Sequence, residues 1–162
     1  MVTRQEYRDA MARFGAAVNV VTTDGPGGRR GFTASAVCSV TDDPPTLLVC
    51  VNRQNDSHPA LLTNGVLCVN TLAAGQETIS TLFGSADAAQ DDRFAAGSWR
   101  TLTTGAPVLD GAVVAFDCRI DQIVEVGTHD VFICSVEAVE VGTVHEGLIY
   151  YARGYHRIVH GG

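Results

Sequence analysis

The sequence predicts a mainly β domain with a few short helices, its strands closing into a barrel. Two patterns lead there. About eight short runs rich in β-branched residues recur along the 162-residue chain, separated by turn residues at close spacing. Helical periodicity, by contrast, is confined to short stretches near residues 3–15, 57–62 and 75–83. With 46% hydrophobic and 18% charged residues, and no internal repeat or low-complexity tract, the chain reads as one domain over 1–162.

In chain order, Thr3-Arg4-Gln5-Glu6 has the spacing of a capping box, and Tyr7, Met11 and Phe14 follow at helical intervals, so a short helix should end near Gly15. The expected strands are 17–22, 32–40, 47–51, 66–71, 113–119, 121–126, 130–141 and 148–151. Turn signals part them, among them Asp24-Gly25-Pro26-Gly27-Gly28, Asp42-Asp43-Pro44-Pro45 and Asn64-Gly65. Ser57 is the expected N-cap of a second helix, and Ile79, Leu82 and Phe83 share one face of a third. The polar, irregular stretch 84–105 is expected to be a long functional loop.

Composition removes several chemistries. All 11 basic residues are arginine, so no lysine is present for a Schiff base or for a phosphate-binding loop ending in Lys-Ser/Thr. A net charge of -7 argues against a broad nucleic-acid face while leaving room for a small anion held by local donors. Five cysteines, at 38, 50, 68, 118 and 134, each lie in an apolar run and read as core filler. Their odd number and the lack of C-x-x-C spacing argue against disulfides and against a metal site. With no signal peptide and no apolar span of roughly 18 residues, a cytoplasmic protein without membrane contact is expected.

Four segments carry candidate chemistry. The run 31–40 (GFTASAVCSV) places small and hydroxylated residues where a core strand would carry Val or Ile, which lets a ligand approach the backbone. Its N–H and C=O groups, with the Thr33 and Ser35 hydroxyls, can read the edge of a flat heteroaromatic ring; an exposed strand without ligand fits equally. The loop Asn52-Arg53-Gln54-Asn55-Asp56-Ser57-His58 opens a helix, whose free N–H groups suit an anion, with Ser57 as cap and phosphate ligand; a plain N-cap beside a solvated arginine is the commoner outcome. His129 stands in a turn between two strands, where a ligand amide or redox ring can reach it, as can plain solvent. In 150–157 (YYARGYHR), Arg153 suits a phosphate or carboxylate, or else belongs to an ordinary terminal strand. His145, His156 and His160 receive no role. A Ser35-His129-Asp130 triad is rejected because adjacent strand residues point to opposite faces.

Taken together, the stretches 14–28 (FGAAVNVVTTDGPGG), 31–51 (GFTASAVCSVTDDPPTLLVCV), 67–76 (LCVNTLAAGQ), 116–119 (FDCR), 126–130 (VGTHD) and 147–151 (GLIYY) resemble the short-chain flavin reductases of two-component flavin-dependent monooxygenases. The similarity runs from about Tyr7 to Tyr155 and looks nearest to the branches serving 4-hydroxyphenylacetate oxygenation and pyrimidine utilisation. Many members carry Gly-Asp-His where this chain has Gly127-Thr128-His129.

The resemblance implies a split β-barrel of the FMN-binding type, a homodimer that uses NADH to reduce FMN or FAD and releases reduced flavin to a partner monooxygenase. By position it implies that Thr33, Ala34, Ser35, Ala36, Cys38 and Ser39 line the isoalloxazine and ribityl chain. Asn52, Ser57 and His58 match the loop near the ribityl phosphate, and Phe83 the helix closing over the cofactor. His129 matches the residue beside the nicotinamide, and Tyr151, Arg153 and Gly154 the segment associated with dinucleotide binding. The alternatives are a flavin-bound reductase of another acceptor such as corrin cobalt, a non-catalytic flavin carrier or sensor, and a barrel that binds a protein partner.

Overall fold

The computed structural model describes residues 1–159, so His160 and the end of the expected domain lie outside the described residues. Along the chain the elements are α1 (Arg4–Met11), β1 (Ala16–Ala17), β2 (Asn19–Thr23), β3 (Arg30–Ala34), β4 (Val37–Asp42), β5 (Pro45–Asn52), α2 (His58–Asn64), β6 (Val66–Thr71), α3 (Glu77–Gly84), α4 (Gln90–Ala95), β7 (Trp99–Thr101), β8 (Pro107–Leu109), β9 (Val114–Val126), β10 (His129–Val141), β11 (Gly147–Tyr151) and β12 (Gly154–Ile158).

Seven antiparallel strands pair in the order β3-β2-β6-β9-β10-β5-β4. The two edge strands, β3 and β4, are consecutive in the chain and joined only by Ser35 and Ala36, so the sheet must curl until its edges meet at that link. The curl leaves a single interior. Val21, Phe32, Leu47, Val49, Val51, Leu67, Val69, Cys118 and Phe132 form one buried cluster, with Val37 packed against it and Leu61 of α2 joining it. Every strand of the sheet contributes, which makes it a split barrel.

A second cluster covers the outer face of β2. It holds Val18, Val20, Leu72, Phe83, Phe94 and Leu148, with Trp99 against them, while Val66 and Cys68 of β6 pack separately with Ala106, Val108 and Ala115. Phe83 and Phe94 meet edge to face at 5.2 Å, and burying each such ring is worth about 1.5–3 kcal/mol. With cores on both faces, β2 is buried at every position. The smaller sheet β1-β11-β12 and the β7-β8 pair flank this layer.

The sequence reading needs five corrections. The strand expected over 32–40 breaks at Ser35-Ala36, where β3 passes into β4. The strands expected at 113–119 and 121–126 are one strand, β9, with a register shift against β10 that leaves Asp121 unpaired at the apparent break. Stretch 84–105 is not a continuous loop: it contains α4 and β7, because a six-residue helix is too short for its apolar period to show. Ser57 makes no capping bond with its side chain, since its backbone is already helical and Pro59 at the helix start offers no N–H. Cys38 is exposed on edge strand β4 and is not core filler, whereas burial pushes the thiols of Cys68, Cys118 and Cys134 up. The Thr3 capping box forms as expected, with Glu6 Oε2 accepting from the Thr3 N–H at 2.8 Å.

Candidate functional site

On the outer face of the barrel, three cavities share wall residues in series and together make up a cleft. The largest, about 630 Å³, lies between Met11–Gly15 at the end of α1 and the strand residues Ser35, Ala36, Cys38, Leu48 and Cys50. Ser35 and Tyr150 also line a second cavity of about 320 Å³, closed by Thr33, Ser80, Gly84 and Tyr155. Gly84 leads in turn to a third, about 320 Å³, between Gln54-Asn55-Asp56 and Ser85-Ala86, with Phe83 and Arg93 in its wall. The first volume falls in the usual range for a ligand pocket.

Strand register explains why these residues meet. Leu47, Val49 and Val51 point into the barrel, so Leu48 and Cys50 face the cleft. The Ser35-Ala36 link lies in that wall because the sheet kinks there. Among the described residues, neither the Ser35 nor the Ala36 N–H is committed to a turn or loop acceptor, which leaves backbone donors beside an apolar slot. Thr33 donates from Oγ1 to the Ser80 carbonyl at 2.6 Å, and the Tyr155 hydroxyl lies 2.8 Å from Ser80 Oγ, which ties α3 to both neighbouring sheets.

Gly31 holds the polar end together. A Cβ there would sit 2.6 Å from Phe83 Cε1. The close approach lets the Gly31 N–H donate to Gln90 Oε1 at 2.9 Å, while its carbonyl accepts from Arg93 Nη1 at 2.7 Å. Arg93 also donates to the Ser85 carbonyl at 2.8 Å and lies 3.4 Å from Asp56. It is 2% exposed: its Nη groups serve the Gly31 and Ser85 carbonyls and its Nε is buried without a hydrogen-bond partner, so this end presents a buried positive charge beside the Asp56 carboxylate. The ring-sized cavity has no charged side chain in its lining. The cleft thus joins an uncharged wall at one end to a polar end that holds Arg93 and Asp56 at the other.

Thr33, Ala34, Ser35, Ala36 and Cys38 all line the first two cavities, while Ser39 faces the neighbouring groove. Ser57 and His58 are turned inward. Ser57 Oγ donates to the Gly31 carbonyl at 3.3 Å, and His58 Nε2 lies 2.7 Å from Asp130 Oδ2. Asn52 ends β5 opposite His129 of β10; both are exposed, and neither lines the three cavities. Tyr151 stands behind Gly15, and Arg153 pairs with Asp9 of α1. Ala152 and Arg153 have positive φ (49° and 62°), a strained turn that the Ala152 N–H secures by donating to the Ala12 carbonyl at 2.6 Å.

Sequence reasoning missed Tyr150, Tyr155, Ser80, Gly84, Ser85 and Arg93, together with the contribution of α1. The aromatic run at 150–157 and the DDRF stretch were visible signals, but which members face the cleft depends on register.

The flavin reductase like domain family matches residues 11–159. The chain is 63% identical over 157 residues to the FMN reductase (NADH) RutF of Ancylobacter novellus, covering 97% of this chain and 86% of that protein. The structure matches that of BorF, the flavin reductase component of a bacterial two-component tryptophan halogenase, with a TM-score of 0.91 at 28% identity, over 98% of this chain and 100% of that one. It also matches Streptomyces globisporus NADH:FAD oxidoreductase SgcE6, in complex with NAD and FAD fragments, with a TM-score of 0.88 at 30% identity, over 96% of this chain and 93% of the other.

Proposed function

The chain belongs to the flavin reductase like domain family, and from that premise we propose that it is an NADH-dependent FMN reductase acting at the cleft between α1, the β3–β4 link and α3. The observation that carries this reading is the polarity of the cleft: an uncharged slot walled by Ser35, Ala36 and Cys38, leading to a buried Arg93. FMN has that shape, a flat ring joined through a short chain to a phosphate. The name of the Ancylobacter relative supports both FMN and NADH.

When bound, the flavin supplies the two-electron acceptor chemistry, and the protein's part is to bind and orient. Backbone groups of Ser35 and Ala36 hold the ring edge while Tyr150 borders the same slot. Arg93 and the neighbouring Ser85 receive the phosphate. Leu48 and Cys50 face the cleft from β5; Asn52, two residues further, shares that face and pairs with His129. That shared face supports His129 as the residue that would orient a nicotinamide carboxamide, so that position alone would align hydride donor and acceptor. Tyr151 against Gly15 and Arg153 paired with Asp9 support the slot indirectly, by fixing the end of α1, and Gly154 completes the turn that carries them.

The proposal extends to one domain that forms a homodimer in the cytoplasm and hands reduced flavin to a separate monooxygenase. BorF, which serves a halogenase, supports hand-over to a partner enzyme. Among the described residues no helix is long and apolar enough to cross a membrane.

The test is steady-state NADH oxidation by the purified protein with FMN, FAD and riboflavin in turn. Fast turnover ranked with FMN first supports the proposal. Flavin binding without NADH oxidation would replace it with a carrier or sensor. His129→Ala should raise the NADH KM while leaving FMN affinity unchanged.

A further inference from the structure

We propose that Arg53 is a positioning residue for His129, setting the NADH site without touching flavin; the inference rests on His129 contacting the nicotinamide. Arg53 follows directly on β5, and its contacts bracket His129 in sequence. Its backbone N–H donates to the Thr128 carbonyl at 3.1 Å. Its guanidinium donates to the Gly127 carbonyl and to Asp130 Oδ1, the latter at 3.1 Å. One residue thus holds positions 127, 128 and 130, leaving the His129 side chain between them exposed.

The clamp is anchored in the barrel. The second oxygen of Asp130 is 2.7 Å from His58 Nε2, and His58 is 7% exposed, with its ring edge-on to Phe132 at 5.8 Å. Glu125 lies 3.6 Å from Arg53 on the solvent side. Adjacent strand residues alternate, so the inward turn of Asp130 to His58 turns His129 outward, on the face that carries Asn52 and Cys50. The two-residue turn itself does not need Arg53. Val126 pairs with His129, and Gly127 at φ +56° already supplies the positive φ that such a turn requires at its first central residue. What the arginine adds is a fixed position of this hairpin tip relative to β5 and α2. A planar fork reaching two acceptors at once does this where a lysine reaches only one.

The test compares Arg53→Ala, Arg53→Lys, His129→Ala and the Arg53→Ala/His129→Ala double variant in the full-length protein. It reads the NADH KM and kcat, FMN affinity by fluorescence, and thermal unfolding. Arg53→Ala should raise the NADH KM about tenfold, short of the roughly 100-fold that a full 1 Å misplacement can cost, while FMN affinity stays unchanged. Arg53→Lys should recover part of the loss. In the His129→Ala background Arg53→Ala should add nothing, because both changes remove one interaction. Full additivity, a parallel loss of FMN affinity, or unchanged NADH kinetics in Arg53→Ala beside an impaired His129→Ala would overturn the role of Arg53. If His129→Ala alone leaves NADH kinetics unchanged, the nicotinamide reading falls and this inference with it. Arg53→Gln, which keeps an uncharged NH2 donor in place of the guanidinium fork, carries the same comparison if the alanine variant does not fold.

Discussion

The two ends of the cleft are made of opposite materials. At the β3–β4 link the walls are Ser35, Ala36, Cys38, Leu48 and Cys50, with no charged side chain among them. At the other end, Asp56 and a buried Arg93 stand beside Ser85. The first end is shaped by a sheet closing on itself, which exposes backbone; the second by a short helix packing an arginine under a glycine. An amphipathic ligand therefore has one orientation in which its polar group meets a donor and its ring meets apolar wall. Orientation is set by the contrast between the ends, and each end should be separable by mutation.

The largest effect is expected at the charged end. Arg93→Met removes the buried donors, and hydrogen bonds to charged groups are worth about 1.5–3 kcal/mol. FMN binding should weaken by about 10- to 100-fold while riboflavin, which lacks the phosphate, binds nearly as before. Fluorescence titration with the two flavins checks this, and equal losses would place the anionic end elsewhere. At the ring end, Ala36→Leu should show the opposite signature. Filling the slot costs about 1–3 kcal/mol, and FMN and riboflavin should lose affinity alike, by about tenfold.

The smallest effect lies beside the β9–β10 turn and depends on pH. Asp130 is held below the usual carboxylate range by the His58 hydrogen bond first and by Arg53 after it, against the opposing effect of burial. A depressed folded value means that the stabilisation is full above the unfolded carboxylate value, about 3.9, and is lost as pH falls through the folded one. Asp130→Asn should therefore lower the melting temperature at neutral pH, with the deficit shrinking below about pH 4. A deficit constant with pH would remove the ionised Asp130 from the account.

How much of this was legible in the sequence differs between the same two ends. The uncharged wall was readable because its residues are contiguous: the small and hydroxylated run from Thr33 to Cys38 stands out against its β-branched neighbours and lines the first two cavities. The barrel was readable for a similar reason, since most of its strands show as local β-branched runs, although the β3–β4 break and the continuity of β9 depend on pairing that a local run does not show. The charged end was not. Arg93 meets Gly31 across 62 positions of chain, and nothing in DDRF marks which arginine is buried. Ser57 and His58 looked like phosphate ligands because a helix start exposes N–H groups, yet the packing of α2 on the barrel turns both inward. Tyr150 and Tyr155, not Tyr151, line the cleft because strand alternation and the pairing of β11 with β12 decide the face.

The most direct test is a crystal structure of the protein with FMN. The account predicts the ring against Ser35, Ala36 and Cys38 beside Tyr150, with the phosphate within hydrogen-bonding distance of Arg93 or Ser85. A phosphate placed toward Phe14 and Gly15, or a flavin bound outside this cleft, would contradict it.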